Sequence, residues 1–159
     1  MGKRVMFLAA AALLPLLLAG AAAAGEEAAG PDVGDAKAFF ARFARLEKTG
    51  DPALAELYDD SAAISYQVKD ERGRAQSIAL TGRQYKEVLR AGKDKPRRMS
   101  LNIYSELEYK AEGGRLRISG LRSNSREGTE GTFSLLLVRG ADGAWRIAEE
   151  KVRVEKAGR

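Results

Sequence analysis

Residues 50–60 read GDPALAELYDD and join two segments of different hydrophobic period. Gly50 suits the left-handed position that ends a helix. Asp51 followed by Pro52 suits the cap and the first residue of the next helix. The apolar face of this short second helix consists of Leu54, Leu57 and Tyr58. The passage therefore predicts the end of one helix, a short second helix that Asp59 and Asp60 terminate, and then a strand.

The chain before Gly50 has the period of an amphipathic helix. Its apolar residues recur at steps of three and four, namely Ala36, Phe39, Phe40, Phe43 and Leu46. The basic residues between them fall on the opposite side, namely Lys37, Arg42, Arg45 and Lys48. We therefore expect a helix that begins near Asp35 and buries an aromatic stripe.

After Asp60 the hydrophobic period changes to two. Residues 62–68 and 75–80 alternate and predict two strands with a polar turn between them. Thr81 and Gln84 then have the spacing of a capping box, in which each side chain satisfies a backbone donor of the other residue. A third helix is therefore expected to begin here.

From about residue 99 onward the chain is predicted to be a meander of four antiparallel strands. Polar turns separate these strands at residues 112–114, 126–131 and 141–143. The alternation slips near residues 105–107 and again at Gly120 and Leu121, which predicts bulges. Helices early in the chain and a bent meander after them indicate an α+β domain, with helices packed on a strongly curved, mainly antiparallel sheet.

The N-terminus has the pattern of a secretory signal peptide. Lys3 and Arg4 precede an apolar stretch at residues 5–18, and small residues continue to Gly25. The alternative is a retained membrane anchor, since the stretch is nearly as long as the roughly 20 residues that a bilayer requires. The ending in small residues favours the signal peptide, and therefore a periplasmic or secreted protein.

The signal peptide divides the chain into four predicted parts. Both Ala22 and Ala24 complete an Ala-x-Ala pattern, so cleavage is expected after one of them. The parts are the signal peptide at residues 1–24, a linker at 25–34, one domain at 35–154 and a tail at 155–159. We expect no membrane span in the chain once the signal peptide has been removed.

The composition excludes several classes of function. The chain has no His and no Cys, which excludes imidazole-based catalysis, disulfides and the usual ligands of zinc and copper. We therefore expect no metal and no cofactor. The net charge of +5 is small, and no aromatic residues interleave with the one basic cluster, at residues 90–98. Nucleic acid is therefore not an expected partner.

Three passages, in this order and spacing, resemble the nuclear-transport-factor-2-like superfamily of cone-shaped α+β domains. They are FFARF at 39–43, GDPALAELYDD at 50–60 and DGAWRIAEE at 142–150. The resemblance covers about residues 35–154 and implies an apolar pocket at the wide end of the cone. Members of the superfamily use such a pocket for ligands or for catalysis, and others are dimerisation modules, so the fold alone does not determine function.

The catalytic residues of the superfamily do not map onto this chain. Its isomerase-like members use an Asp base that projects from the sheet, and its dehydratase-like and cyclase-like members use an Asp–His pair. Every Asp after the signal peptide falls in a predicted linker, cap or turn: 32, 35, 51, 59, 60, 70, 94 and 142. Without His and without an Asp inside a strand, a non-catalytic domain is the leading expectation.

A set of aromatic and acidic residues remains as candidate pocket lining. Glu149 shares strand parity with Trp145 and Ile147, so we expect it to point inward, where burial would raise the pKa of its carboxyl group. Glu150 is then expected on the surface. Hydroxyl donors are expected from Tyr58, Tyr66 and Tyr85, with Trp145 as a pocket wall. The alternatives are core packing for the aromatic residues and a solvated ion pair for Glu149.

Three functions follow as hypotheses. The first is an exported, non-catalytic domain that binds a small apolar ligand or a protein partner. The second is an isomerase-like or dehydratase-like enzyme that uses Glu149 with tyrosine donors. The third is a structural homodimer, because the strand at residues 133–138 is apolar on both faces and one face needs a cover. The alternative cover is the chain's own C-terminal tail.

Overall fold

The computed structural model describes residues 31–91 and 100–156. The helices are α1 (Val33–Thr49), a short 3₁₀ helix (Pro52–Leu57) and α2 (Gly82–Ala91). The strands are β1 (Tyr58–Lys69), β2 (Ala75–Thr81), β3 (Asn102–Glu112), β4 (Arg115–Asn124), β5 (Thr129–Arg139) and β6 (Trp145–Lys156). The predicted signal peptide and most of the basic cluster lie outside the described residues.

Helix α1 follows the aromatic stripe. The Asp32 side chain accepts a hydrogen bond from the Gly34 N–H at 3.1 Å, so the helix begins at Val33, two residues before the expected start. Gly50 ends it with a φ of 61°, as its position predicts. The five apolar residues of the stripe are all buried, which confirms the amphipathic prediction.

The passage at residues 50–60 differs from the prediction in its second half. The Asp51 carboxylate caps the 3₁₀ helix through the Ala53 N–H at 2.9 Å. That helix ends at Leu57, and Tyr58 is the first residue of β1, where it pairs with Ile147. Placing Tyr58 in a helix was therefore wrong, as was placing Asp59 and Asp60 outside a strand, because pairing with the last strand extends β1 backward.

The six strands form one open, mixed sheet in the order β2-β1-β6-β5-β4-β3. The predicted meander of four antiparallel strands is confirmed as β3 to β6. Strand β1 pairs with β6 in parallel and with β2 in antiparallel fashion. Both helices lie against the sheet, α1 on β3 and β4 and α2 on β1, so the predicted α+β class is confirmed.

The buried core lies between the helices and one face of the sheet, which we call the inner face. Phe40 of α1 stacks on Phe133 of β5 with ring centroids 5.7 Å apart, and contacts Tyr104 of β3 edge-on at 5.3 Å. Central positions of the sheet complete the core with side chains of zero exposure: Leu116, Ile118, Leu135, Leu137 and Ile147. The aromatic helix therefore fixes which face of the meander is inward.

Strand β3 carries the first predicted bulge. Its pairing with β4 shifts between Ser105 and Glu108, and Glu106 has a φ of 51°. Gly120 lies opposite, where an added Cβ would come within 2.7 Å of the Ser105 carbonyl oxygen. The second predicted slip, at Gly120 and Leu121, is wrong, because β4 pairs with β5 without interruption through this region.

Strand β6 carries a bulge that the alternation does not reveal. Ile147 pairs with Leu137 of β5, whereas Glu149 pairs with the next residue, Leu136, so Ala148 is the extra residue. A bulge changes which parity faces the core. Ile147 before it and Val152 after it are both buried although one is odd and the other even.

The opposite, outer face of β5 is partly covered by its neighbours. Leu136 is half-buried and pairs with Arg117 on one side and Glu149 on the other. These two charged side chains lie 3.7 Å apart at their charged atoms, and the aliphatic stem of an arginine can cover apolar surface. The homodimer that the sequence suggested stays a prediction.

Candidate functional site

A cavity of about 210 Å³ lies on the inner face, between α1, α2 and the sheet. Its lining consists of Glu47, Ile64, Ser65, Tyr66, Ile78, Leu80, Tyr85, Arg122, Glu150 and Val152. The lining thus mixes apolar and aromatic residues with three charged ones, and Ile64 of β1 pairs directly with Glu150 of β6. This differs from the apolar pocket that the family resemblance implied.

The carboxylate of Glu150 in β6 is held by a hydrogen bond from a buried tyrosine. The hydroxyl of Tyr58 donates a hydrogen bond to the Glu150 carboxylate at 2.6 Å, and the Tyr58 side chain is fully buried. The ring of Tyr85 from α2 packs edge-on against Tyr58 with centroids 4.9 Å apart. Burial raises the pKa of Glu150 above its ordinary value, although the Tyr58 hydrogen bond opposes this effect.

Glu47 reaches the same cavity from the last turn of α1. Its two carboxylate oxygens accept hydrogen bonds from the Asn102 amide at 2.7 Å and the Tyr104 hydroxyl at 3.0 Å. Asn102 in turn accepts from the Asn124 amide at 2.7 Å, so the carboxylate is anchored to β3 and β4. Burial again raises the pKa of Glu47, and the two hydrogen bonds oppose it.

Arg122 of β4 provides the positive charge of the cavity. Its guanidinium lies over the ring of Tyr66 at 5.2 Å from the centroid, in the range of a cation–π contact. Its charge lowers the pKa of both Glu47 and Glu150. The Nε of Arg122 is buried and has no hydrogen-bond partner among the described residues, which is unusual for a buried donor.

The tyrosines around the cavity are held in the protonated form. Burial raises the pKa of Tyr58, Tyr85 and Tyr104 well above the ordinary value for a phenol. The neighbouring carboxylates add to this effect because they disfavour a second negative charge. These hydroxyls are therefore donors across the physiological pH range.

Three of the five residues that the sequence proposed for a pocket come together here. Tyr66 and Tyr85 line the cavity, and Tyr58 lies directly behind Glu150. Trp145 does not join them. Its indole N–H donates to Asp35 at 3.1 Å and the Arg139 guanidinium lies 4.6 Å from its ring centroid, so it ties β6 to the start of α1.

Glu149 does not point inward, and its predicted orientation is wrong. Its carboxylate lies 2.7 Å from the Lys151 ammonium and 3.7 Å from the Arg117 guanidinium, on the outer face. The extra residue Ala148 causes the reversal, since it gives the inward position to Glu150 instead. Glu149 and the tyrosines lie on opposite faces of the sheet, so the enzymatic hypothesis that joined them has no geometric support.

The three charged residues of the cavity were missed, although each leaves a signal in the sequence. Glu47 follows Phe43 by four residues and so lies on the buried stripe of α1. Arg122 has the same parity as Leu116 and Ile118 in β4, a signal hidden by the slip expected at Gly120. Glu150 has the parity of Val152 and Val154, which competes with the parity of Ile147 earlier in the strand.

The arrangement can bind by charge and by hydrogen bonds. Two carboxylates accept, one guanidinium and the tyrosine hydroxyls donate, and apolar residues lie beside them in the lining. Within residues 31–91 and 100–156 no group of three or more acidic residues is placed to hold a metal ion. In the same part of the chain no helix is both long and apolar enough to span a bilayer.

Comparison with known proteins identifies the fold. No protein-family model matches the sequence, and no curated protein does. A solved structure from Pectobacterium atrosepticum, of unknown function and from the DUF3225 family, superposes with a TM-score of 0.55 at 16% identity over 79% of this chain and 91% of its own.

Two further solved structures carry fold names. A protein of unknown function from Pseudomonas putida, described as NTF2-like, has a TM-score of 0.54 at 12% identity over 77% of this chain and 84% of its own. A protein from Burkholderia xenovorans with a cystatin-like fold has a TM-score of 0.55 at 12% identity over 80% of this chain and 92% of its own. The chain therefore has the nuclear-transport-factor-2-like, or cystatin-like, α+β fold.

Proposed function

We propose that this domain binds a small organic molecule in the inner cavity and does not transform it. The observation that carries the proposal is the presence of Glu47, Glu150 and Arg122 on the wall of one cavity. Burying charged groups costs free energy unless they gain partners. A domain with only a structural role gains nothing from three such groups around an empty space, whereas a binding site does.

The fold supports the proposal at a coarser level. Ligand sites are typically concave, largely apolar and equipped with a few convergent polar groups. The cavity measures about 210 Å³, below the roughly 300–1,000 Å³ that is typical of pockets for drug-sized ligands. It is therefore suited to a small metabolite, and a ligand of drug size would have to extend through the cavity mouth.

The place of action is part of the proposal. The pattern of residues 1–24, a positive start followed by an apolar stretch and small residues, supports export to the periplasm or the medium. The ligand is then a molecule that this protein meets outside the cytoplasm.

Native mass spectrometry of the protein purified from its producing cells tests the binding proposal. We expect an additional small mass that leaves on mild activation. The Glu150→Gln variant should lose this mass, whereas Glu149→Gln, which changes the neighbouring carboxylate on the outer face, should retain it. A wild-type protein that carries no additional mass and gains none from an extract of its host's culture medium would contradict the proposal.

A second candidate function is proton transfer on the bound molecule by Glu150. It is favoured by the raised pKa of this carboxyl group together with its hydrogen bond from Tyr58, since a general acid or base works best with a pKa near the working pH. Incubation of the identified ligand in D₂O distinguishes the two functions. Deuterium incorporation that depends on Glu150 would establish the enzyme, and its absence would leave the binding function.

A further inference from the structure

Resting on the proposed binding function, we infer that the ligand is a small amine that also carries a hydrogen-bond acceptor. Its ammonium group is bound by the carboxylates of Glu47 and Glu150, and its acceptor oxygen takes a hydrogen bond from Arg122. Amino acids and short amino alcohols are the simplest molecules of this class.

The two carboxylates of the cavity lack a paired positive charge. Among the ion pairs of the described residues, none includes Glu47 or Glu150. Their partners are neutral: an amide and a tyrosine hydroxyl for Glu47, and a tyrosine hydroxyl for Glu150. Both residues are half-buried, and carboxylates withdrawn from water are ordinarily paired with a cation, so a ligand cation completes this site.

Arg122 is the one described cation that lines the cavity. It faces two carboxylates, so the cavity holds an excess of one negative charge when both are ionised. The positive charge of Arg122 lowers the pKa of each carboxyl group by less than burial raises it, so both pKa values stay above the ordinary value of glutamate. A second cation is therefore favoured, and its arrival would lower both pKa values.

Arg122 also carries a hydrogen-bond donor that has no partner among the described residues. The Nε of Arg122 is buried without a hydrogen-bond partner among the described residues. An orphaned donor of this kind costs free energy until an acceptor reaches it. An ammonium group at the carboxylates, together with an acceptor oxygen at the Arg122 guanidinium, would match the charges of the cavity.

The remaining walls suit the rest of such a molecule. Ile64, Leu80 and Val152 provide an apolar side for a short alkyl chain. The ring of Tyr85 also lines the cavity, and an aromatic face attracts an ammonium group. Ile78, on the edge strand β2, is 58% exposed and also lines the cavity, which places it at the rim through which a ligand enters.

The test is a comparison of four probes of similar size by NMR titration of the purified protein near neutral pH. γ-Aminobutyrate has the ammonium and the acceptor, butylamine the ammonium alone, butyramide an acceptor with neutral N–H donors and no charge, and butyrate the acceptor with a negative charge. We expect γ-aminobutyrate to bind most tightly and butylamine next, with shift changes at Tyr66 and Tyr85.

Variants assign the binding to the carboxylates. Glu150→Gln and Glu47→Gln keep the shape of the side chain and each should weaken γ-aminobutyrate binding at least about tenfold, the size expected for loss of a charge-assisted hydrogen bond. Glu149→Gln, on the outer face, should leave the affinity unchanged.

Two results would overturn the inference and they are distinguishable. If butyrate or butyramide shifts the same tyrosines as strongly as the amines do, the cavity binds small molecules without selecting for a cation, so the inference fails and the proposed function survives. If no probe shifts them and the native mass spectrum shows no retained ligand, the proposed function fails as well.

Discussion

Glu149 and Glu150 are neighbours with the same side chain, yet their carboxylates lie on opposite faces of the sheet. Glu149 forms ion pairs on the outer face, with Lys151 and Arg117. Glu150 lines the inner cavity and accepts a hydrogen bond from Tyr58. The pair therefore provides a matched experiment, in which the same substitution one residue apart separates the cavity from the surface.

Glu150 is expected to reduce stability near neutral pH. Because folding raises its pKa, the folded protein binds this proton more tightly than the unfolded chain does. The free energy of unfolding therefore falls as the pH rises through the interval between the ordinary pKa and the raised one. Glu150→Gln removes this loss while keeping an acceptor for Tyr58, so the variant should melt at a higher temperature than the wild type near neutral pH.

Melting temperatures measured from about pH 4 to pH 7 check this prediction. The advantage of Glu150→Gln should shrink as the pH falls below the ordinary pKa of glutamate, where the wild-type carboxyl group is protonated in both states. Glu149→Gln, which changes the neighbouring carboxylate on the outer face, is the matched control. A Glu150→Gln protein that is less stable than the wild type near neutral pH would show that the carboxylate is stabilised as an ion.

At the residue scale, the sequence identified the tyrosines but not the charges beside them. Tyrosines in apolar patterns are natural candidates for a pocket, and Tyr66 and Tyr85 do line the cavity. Charged residues are expected on surfaces, so Glu47 and Arg122 were not considered for a pocket, and strand parity placed Glu150 on the surface. Only the tertiary fold shows that all three positions meet at one place.

At the scale of elements, α2 was the best predicted because its signal is local. The Gln84 carboxamide oxygen accepts from the Thr81 N–H at 2.9 Å, and the Thr81 hydroxyl accepts from the Gln84 N–H at 3.3 Å. Gly82 then allows close packing on β1, since a Cβ there would lie 1.8 Å from the Asp59 carbonyl oxygen. Together these contacts place Tyr85 against Tyr58.

Loss of the capping box is expected to destabilise the protein and the cavity wall together. Thr81→Ala removes the hydroxyl acceptor and should lower the free energy of unfolding by about 1 kcal/mol. Thr81→Ser keeps the hydroxyl and should cost little. Chemical denaturation of the three proteins measures the difference, and equal loss in both variants would show that the cap does not stabilise α2.

The sixth strand was the hardest element to predict, for a reason that is physical. A bulge adds one residue and reverses the inward parity, so a single strand carries two valid alternations. Counting forward from Ile147 places Glu149 inward, and counting back from Val152 places Glu150 inward. The point of reversal depends on pairing with β1 and β5, which are distant in the sequence.

For the whole molecule, the order of elements was predictable and the function is not determined by it. Local helix signals and turn residues predicted helices packed on a four-stranded meander. The solved structures confirm the fold. They do so at 12–16% identity, which says nothing of activity. The function must therefore be argued from the cavity.

Homodimerisation through the outer face is a prediction at this scale. Leu136 and Val138 lie there beside charged residues that would have to face a second copy, among them Arg117 and Glu149. An interface of this kind should weaken with salt. Light scattering after size exclusion should give twice the monomer mass at low salt and less at high salt, and a monomer under both conditions would contradict the prediction.

Export is the second prediction at this scale. The mature protein should begin at residue 23 or 25, after Ala22 or Ala24, and should be recovered from the periplasm or the medium. Intact mass and N-terminal sequencing of the protein from its producing cells check this. A chain that retains Lys3 and Arg4 and fractionates with membranes would instead indicate an anchor.

The most direct test of the account is an NMR pH titration of the side-chain carboxyl carbons of Glu47 and Glu150. We predict that both carboxyl groups titrate above the ordinary range of glutamate, because burial without a paired cation disfavours their charged form. We further predict that γ-aminobutyrate shifts both titrations to lower pH. Ordinary pKa values, unchanged by the amine, would place both carboxylates in solvent and contradict the charged cavity on which the proposed function rests.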